Sequence, residues 1–361
     1  MSASLTFKQF HSENGCNSFL LADLASKSAC VIDPRVDELD LLEAYVAAHG
    51  LKVELVLDTH THADHFSGTH LVGERFAAPI AMAQSTKSAR AAILLKDDQE
   101  IGVGSSFGLK ALATPGHTPD SMCFLLSGAW GGAVFTGDTL FIGGSGRTDF
   151  PQADPREQYN SIYRRLGALE GRTWVLPGHD YSGLLFSTIE HEKRTNPHWA
   201  FKGADDFVQM KQAEMLESSG ILQSIVDFNL NAKPLNRPRG GAHTMCATVC
   251  SDSREPVARK TVQELQTLLS AQASPGALFI DVRETDEFAR SRLPGMINIP
   301  LGQLVFHWDE LKKASNVYFF CQRGNRSLFA LKTAHRLGLS NALDIEGGIL
   351  AWIAAGFPVN R

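Results

Sequence analysis

Short apolar runs, many of them β-branched or alternating, dominate the first half of the chain and predict strands. Leu5–Phe10, Ser18–Leu24 and Ala29–Ile32 form a first set, closed by Asp33 and Pro34. A helix is predicted over Asp37–His49, where Leu39, Leu42, Tyr45 and Val46 share one face and Gly50 stops the run. Strand Val53–Leu57 follows, then a helix over Phe66–Phe76 and strands at Pro79–Ala83, Leu109–Ala113, Met122–Leu126 and Ala133–Thr136. The span Met122–Phe135 is the most apolar, but Gly128, Gly131 and Gly132 interrupt it, so it reads as a β-hairpin too short to cross a bilayer. A helix around Arg156–Leu169, strand Thr173–Leu176 and a helix over Leu216–Leu230 complete this half.

The periodicity then lapses. Pro, Gly and Arg crowd Lys233–Gly241 without a repeat, which is the composition of a linker. From Thr261 a βα pattern resumes, with helix Val262–Leu269, strand Ala277–Val282, helix Asp286–Arg290 and a strand end at Asn298–Pro300. A buried-strand signature at Asn316–Phe320 and a helix over Leu328–Leu337 follow. The division predicted is residues 1–235, a linker over 236–257, and a smaller domain over 258–361.

Composition narrows the partners. A chain of 361 residues with 43% hydrophobic and 20% charged positions can bury a core in each half. A net charge of -5 argues against a nucleic-acid partner, which usually demands a basic face. The six cysteines are scattered, and Met1–Gln9 lacks a basic stretch followed by an apolar core, so reduced thiols and a cytoplasmic location without membrane contact are expected. Cys246 and Cys250 fall in the linker; a C-x3-C pair is half a zinc site, and without a second pair they read as ordinary thiols.

Candidate chemistry begins directly after strand Val53–Leu57. Three of the thirteen histidines and an aspartate (His60, His62, Asp64 and His65) fall within six residues. A core satisfies one buried histidine, seldom three beside a carboxylate, whereas a loop leaving a strand end can aim several such groups at one cation. The pattern recurs at later strand ends: Pro115-Gly116-His117, Gly137-Asp138 and Pro177-Gly178-His179 each place a ligand-type side chain after a tight turn. A metal centre is predicted there, with one ion or two left open by the spacing.

The smaller domain carries a different signal. Strand Asn316–Phe320 runs into Cys321-Gln322-Arg323-Gly324-Asn325-Arg326-Ser327. A cysteine between a strand end and a helix N-terminus meets backbone N–H groups and the positive end of the helix dipole, and Arg323 and Arg326 add charge. Gly324 permits the turn that lets the amides converge. A nucleophilic thiolate at Cys321 is predicted. Cys321 and Arg326 are spaced C-x4-R.

These motifs resemble known families. His60-x-His62-x-Asp64-His65, His117, Asp138 and His179 resemble the metallo-β-lactamase fold in its glyoxalase II-like branch, over roughly residues 5–235. Within it, Gly144–Phe150, His179-Asp180-Tyr181 and Glu192–Pro197 are similar to the ETHE-type persulfide dioxygenases. Residues 258–361 resemble a single rhodanese domain, through Asp281–Glu284, Gly295–Pro300, the Cys321 loop, Glu346-Gly347-Gly348, Trp352 and Gly356-Phe357-Pro358. The rival that shares this fold, a Cdc25-like phosphatase, needs C-x5-R, so the resemblance with C-x4-R implies a sulfane sulfur carried on Cys321. Ser291-Arg292-Leu293 departs from its usual Gly-His-Ile, and the stretch after Lys233 departs from the fuller Pro-rich tail of the dioxygenases.

The resemblance implies an αββα sandwich followed by an α/β domain with a mostly parallel sheet. It implies one Fe(II) per chain on His60, His117 and Asp138, with His62, Asp64, His65 and His179 as supporting residues or remnants of a second metal site. Arg147 and Tyr181 are the candidate anchors for the carboxylates and polar groups of glutathione. The expected chemistry is oxidation of glutathione persulfide by O2 to sulfite and glutathione, joined to sulfur transfer between thiosulfate and glutathione through a Cys321 persulfide. A dinuclear glyoxalase II-like thioesterase with a rhodanese tail, and a non-turnover sulfur carrier or sensor, are the alternatives; a homodimer is compatible with either.

Overall fold

The computed structural model describes residues 5–12, 14–104, 107–128, 131–150, 152–181, 183–214, 221–231, 258–271 and 275–360. The chain divides into two compact units, Met1–Tyr181 with Phe186–Cys250, and Ser182–Leu185 with Ser251–Arg361.

The first unit is built on two six-stranded sheets. One runs in the order β1 (Leu5–His11), β2 (Asn17–Asp23), β3 (Ser28–Ile32), β4 (Lys52–Leu57), β5 (Ile80–Ala83), β6 (Ile93–Leu95). The other comprises β7 (Glu100–Val103), β8 (Phe107–Ala113), β9 (Met122–Leu126), β10 (Ala133–Gly137), β11 (Trp174–Pro177) and β12 (Ser187–Thr188), adjacent in that sequence. Alternation along a strand decides which side each residue serves. In β2, Leu20 and Ala22 join a core with Leu42, Val46 and Val72 of helices Leu39–His49 and Thr69–Phe76. Phe19 points the other way and meets Phe135 of β10 edge-on, ring centroids 5.0 Å apart. Val134 of β10 turns outward to Ile162, Leu166, Ile189 and Phe207. Helices therefore cover both outer faces and the sheets face each other, the expected αββα sandwich. The Met122–Phe135 hairpin is present, pairing Ala133 with Leu126.

The helix expected from Phe66 starts at Thr69 instead. Main-chain groups of the preceding residues are engaged elsewhere: Phe66 O accepts from Val36 N, Ser67 N donates to Asn229, and Gly68 N donates to Pro34 O. Helix Ala204–Ala213 was not anticipated; only Phe207 and Met210 of it pack in the core cluster, which leaves little periodic signal.

The second unit is a five-stranded sheet ordered β13 (Arg259–Lys260), β17 (Ala342–Ile345), β16 (Val317–Phe320), β14 (Leu278–Asp281), β15 (Ile297–Asn298), with parallel pairings throughout. Val262, Leu265, Phe320, Ile345, Ile349 and Trp352 form part of its core. The predicted linker, with Cys246 and Cys250, lies outside the described residues. Among the described residues no helix is long and apolar enough to cross a membrane.

Candidate functional site

Strands β4, β8, β10 and β11 end close together, and each is followed by one of the predicted polar groups. His60, His62, Asp64, His65, His117, Asp138 and His179 are all at most 5% exposed. Within this collection His60, His117 and Asp138 offer one ligand atom each, all within 4.8 Å of one another.

Hydrogen bonds fix which atoms face the centre. His117 Nδ1 donates to the carbonyl of Arg147 at 2.7 Å, so its Nε2 carries the lone pair. Thr59 Oγ1 uses its only hydrogen on Asp33 Oδ2, at 2.8 Å, and accepts from His60 Nδ1 at 2.9 Å. His60 Nε2 is thereby left basic and, like Asp138 Oδ2, buried without a hydrogen-bond partner. His117 Nε2 lies 3.6 Å from that same carboxylate oxygen. Burial holds both imidazoles below their usual range, with the His62 charge adding to the effect at His60. For Asp138 burial acts upward, but the neighbouring His179 outweighs it and keeps the carboxyl ionised. Two neutral imidazoles and a carboxylate with an orphaned oxygen are the donor set of a 2-His-1-carboxylate site. The residues fit a metal ion.

The remaining predicted residues form two further clusters. His62 Nε2 faces Asp33 Oδ1 at 3.3 Å and Asp58 Oδ1 at 3.7 Å. Burial opposes its charge, yet the two carboxylates raise the imidazole well above its usual range. His179 donates from Nδ1 to Asp138 Oδ1 at 2.8 Å and from Nε2 to Asp64 Oδ2 at 2.9 Å. Asp64 Oδ2 also accepts from His65 Nδ1 at 2.9 Å and lies 3.7 Å from Cys16 Sγ. Cys16, read from sequence as one scattered thiol, completes this cluster. Burial pushes its thiol up, but the His179 charge more than reverses this, bringing it to about 6. Asp33 and Asp58 were likewise not singled out. Asp33 arrives through the pairing of β3 with β4, whereas Asp58 stands two residues ahead of His60 at the start of the same loop.

Loop 143–150 carries the Gly146-Arg147-Thr148-Asp149 string and is held from behind. Glu192 accepts from Gly143 N and Ser187, while Asn196 Nδ2 donates to the carbonyls of Phe141 and Gly144. Gly146 N donates to Asp138 O at 2.9 Å; a Cβ on Gly146 would sit 2.2 Å from that oxygen, so only glycine fits. Arg147 is buried, bonded through Nε and Nη2 to Asp149 at 2.8 and 2.6 Å, and packed over Phe150. Its fork is engaged inside the protein. Tyr181 stacks on His179, centroids 5.8 Å apart.

In the second unit, Cys321 follows β16 and is 1% exposed. Its sulfur accepts from Gly324 N at 3.1 Å and Ser327 Oγ at 3.4 Å. Gly324 takes φ 96° and opens helix Asn325–Arg336. Gly348 lets the chain pass close: a Cβ there would lie 2.2 Å from Cys321 O. Arg326 donates twice to Glu287, at 2.6 and 2.8 Å, so its charge is directed there, whereas Arg323 is exposed. Asn325 is also exposed, and Gln322 Oε1 lies 3.5 Å from Nη1 of Arg283, itself buried on Asp281.

Two facing sheets with histidine and aspartate loops at their strand ends define a metallo-β-lactamase domain, and the Metallo-beta-lactamase superfamily profile matches residues 12–179. The Rhodanese-like domain profile matches residues 261–355. Human "Persulfide dioxygenase ETHE1, mitochondrial" is 32% identical over 209 residues, which is 58% of this chain and 81% of that protein. The crystal structure of ETHE1 from Myxococcus xanthus aligns with a TM-score of 0.59 at 34% identity, covering 63% of this chain and 98% of that one. The probable hydroxyacylglutathione hydrolase glo2 of Schizosaccharomyces pombe is 32% identical over 185 residues, 49% of this chain and 71% of that protein. The chain belongs to the metallo-β-lactamase superfamily, where its N-terminal region groups with the ETHE1 persulfide dioxygenases, and it carries a C-terminal rhodanese domain.

Proposed function

We propose that the first unit oxidises glutathione persulfide to sulfite and glutathione with dioxygen, and that the second moves sulfane sulfur between thiosulfate and glutathione. The observation that carries the first reading is the convergence of His60 Nε2, His117 Nε2 and Asp138 Oδ2, two of them buried without partners. One Fe(II) held by these three would retain open positions where dioxygen and a sulfur substrate meet. Thr59 and the Arg147 carbonyl orient the two imidazoles. His179 neutralises Asp138 from the far side. His62, with Asp33 and Asp58, and His65, with Asp64, back the loop rather than reach the ion. Arg147 shapes the pocket through Asp149 and Phe150, and Tyr181 remains the polar group proposed to meet glutathione.

For sulfur transfer, the Cys321 thiolate attacks the outer sulfur of thiosulfate, sulfite departs, and glutathione thiolate then takes the sulfur from the Cys321 persulfide. Amides from Gln322 to Ser327, with Arg323, stabilise the anions, and Arg326 anchors the loop to Glu287. Oxygen uptake with glutathione persulfide, on protein of measured metal content, tests the dioxygenase reading. The retained Asp64, His65 and His179 favour one other reading, a glutathione thioesterase with two ions; hydrolysis without oxygen uptake, in a two-metal form, would establish it.

A further inference from the structure

The ligand loop Asp58–Ser67 has no regular structure, and its main-chain polar groups need partners because it is buried. Three of them find one side chain. Asn229 Nδ2 donates to His62 O at 2.8 Å and His65 O at 2.9 Å, and Asn229 Oδ1 accepts from Ser67 N at 2.9 Å. The orientation of the carboxamide is unambiguous, since carbonyls only accept and an N–H only donates. Both amide hydrogens and the oxygen are used. Asn229 sits on helix Ile221–Asn231, more than 160 residues along the chain from the loop it holds. Phe228 secures the helix, edge-on to Phe66 at 5.1 Å and to His70 at 5.2 Å, and Leu230 O accepts from Ala89 N at 3.2 Å.

We infer that Asn229 is the positioning residue of the metal centre, fixing the curvature of the histidine loop so that His60 Nε2 stays within reach of His117 and Asp138. The inference rests on the metal-centre reading above. Its chemistry is particular to asparagine. Aspartate keeps the acceptor for Ser67 N but sets a carboxylate against two carbonyls. Leucine, nearly the same shape, leaves two carbonyls and an N–H without partners. Either change frees the loop to satisfy its main chain by another path, and His60 moves with it. Groups that bond a ligand side chain directly typically set metal affinity by roughly 10–100-fold, and a support one step further out is expected at the lower end of that range.

The test uses the full-length protein, loaded anaerobically with Fe(II) alone, and Asn229→Leu beside Asn229→Asp. Competition with a chromophoric chelator gives the affinity, and the visible spectrum of the Co(II)-substituted protein reports the coordination geometry. Expected is an Fe(II) affinity at least about tenfold weaker in both variants, with shifted Co(II) bands, while circular dichroism of the metal-free forms is unchanged. Asn229→Asp preserves one contact and serves as the measurement if Asn229→Leu does not fold. Affinity within about twofold of wild type and an unaltered Co(II) spectrum would overturn the assignment. A wild-type chain that binds no Fe(II) would overturn the metal-centre reading itself, and this inference with it.

Discussion

His179 Nδ1 donates to Asp138 Oδ1 at 2.8 Å, on the carboxylate whose other oxygen lies buried without a partner. Its second nitrogen donates to Asp64, so neither ring nitrogen offers a lone pair to a cation. Asp138 lies well below the usual carboxylate range and His179 well above the usual imidazole range, as a charged pair requires. Anaerobically purified protein should therefore contain one iron per chain. Two zinc ions per chain, with full activity in that form, would show that the His179 network opens to a second ion and would end the dioxygenase reading.

The two chemistries should separate by substitution. Asp138→Ala should abolish oxygen uptake with glutathione persulfide and leave transfer from thiosulfate to glutathione nearly intact. Cys321→Ser should do the reverse. With thiosulfate and glutathione as the only feed, wild type should consume oxygen and each variant fail. Mixing the variants should restore part of the uptake through free persulfide; no restoration, with each single activity intact, would indicate handover within one molecule.

Arg147 provides a test of structure against substrate binding. Its two hydrogen bonds to Asp149 and its place over Phe150 suit a planar guanidinium. Arg147→Lys should lower kcat/KM and also stability, by about 1–3 kcal/mol, because an ammonium cannot keep both bonds in a buried site. Unfolding curves and steady-state kinetics measured together check this. A loss confined to KM would assign Arg147 to substrate; no change in either would remove it from the site.

The contribution of Glu38 to the stability of the metal-free protein should fall as pH rises from about 4.5 to about 7. Burial raises the Glu38 carboxyl to about 7, with Arg35 only partly offsetting it. Between its ordinary value and that one, the folded state retains a proton the unfolded chain has released, so linkage favours unfolding as pH climbs. Glu38→Gln should remove this downward component and make the slope of stability against pH more positive than in wild type, read by denaturant titrations at fixed ionic strength. An unchanged slope would show that Glu38 is already ionised in the fold.

Much of the architecture was readable because the informative residues were neighbours in sequence. The string from His60 to His65 announces itself, and Cys321 to Ser327 carries a strand end, a glycine turn and two arginines in one line. The hidden residues act singly across long separations. Cys16 joins the Asp64 cluster because its loop is stitched to Gly178–Asp180, with Asn17 N donating to Gly178 O and Asp180 N to Gly15 O. Lys211 is buried and donates to the carbonyl of Gly146, yet in sequence it is one polar residue on a weakly patterned helix. Arg326 was assigned to the thiolate because sequence shows its spacing from Cys321 but not the approach of Glu287 from another helix.

The hold of Asn229 on the histidine loop also bears on how such a chain can be assembled from parts. The region recognisable by superfamily pattern stops at His179, but a support of the ligand loop arrives with the helix ending at Asn231. A recombination joint anywhere between those two points would deliver a domain with every proposed ligand in its sequence and the loop beneath them without this support. Fusion to a second domain leaves this centre intact only downstream of Asn231.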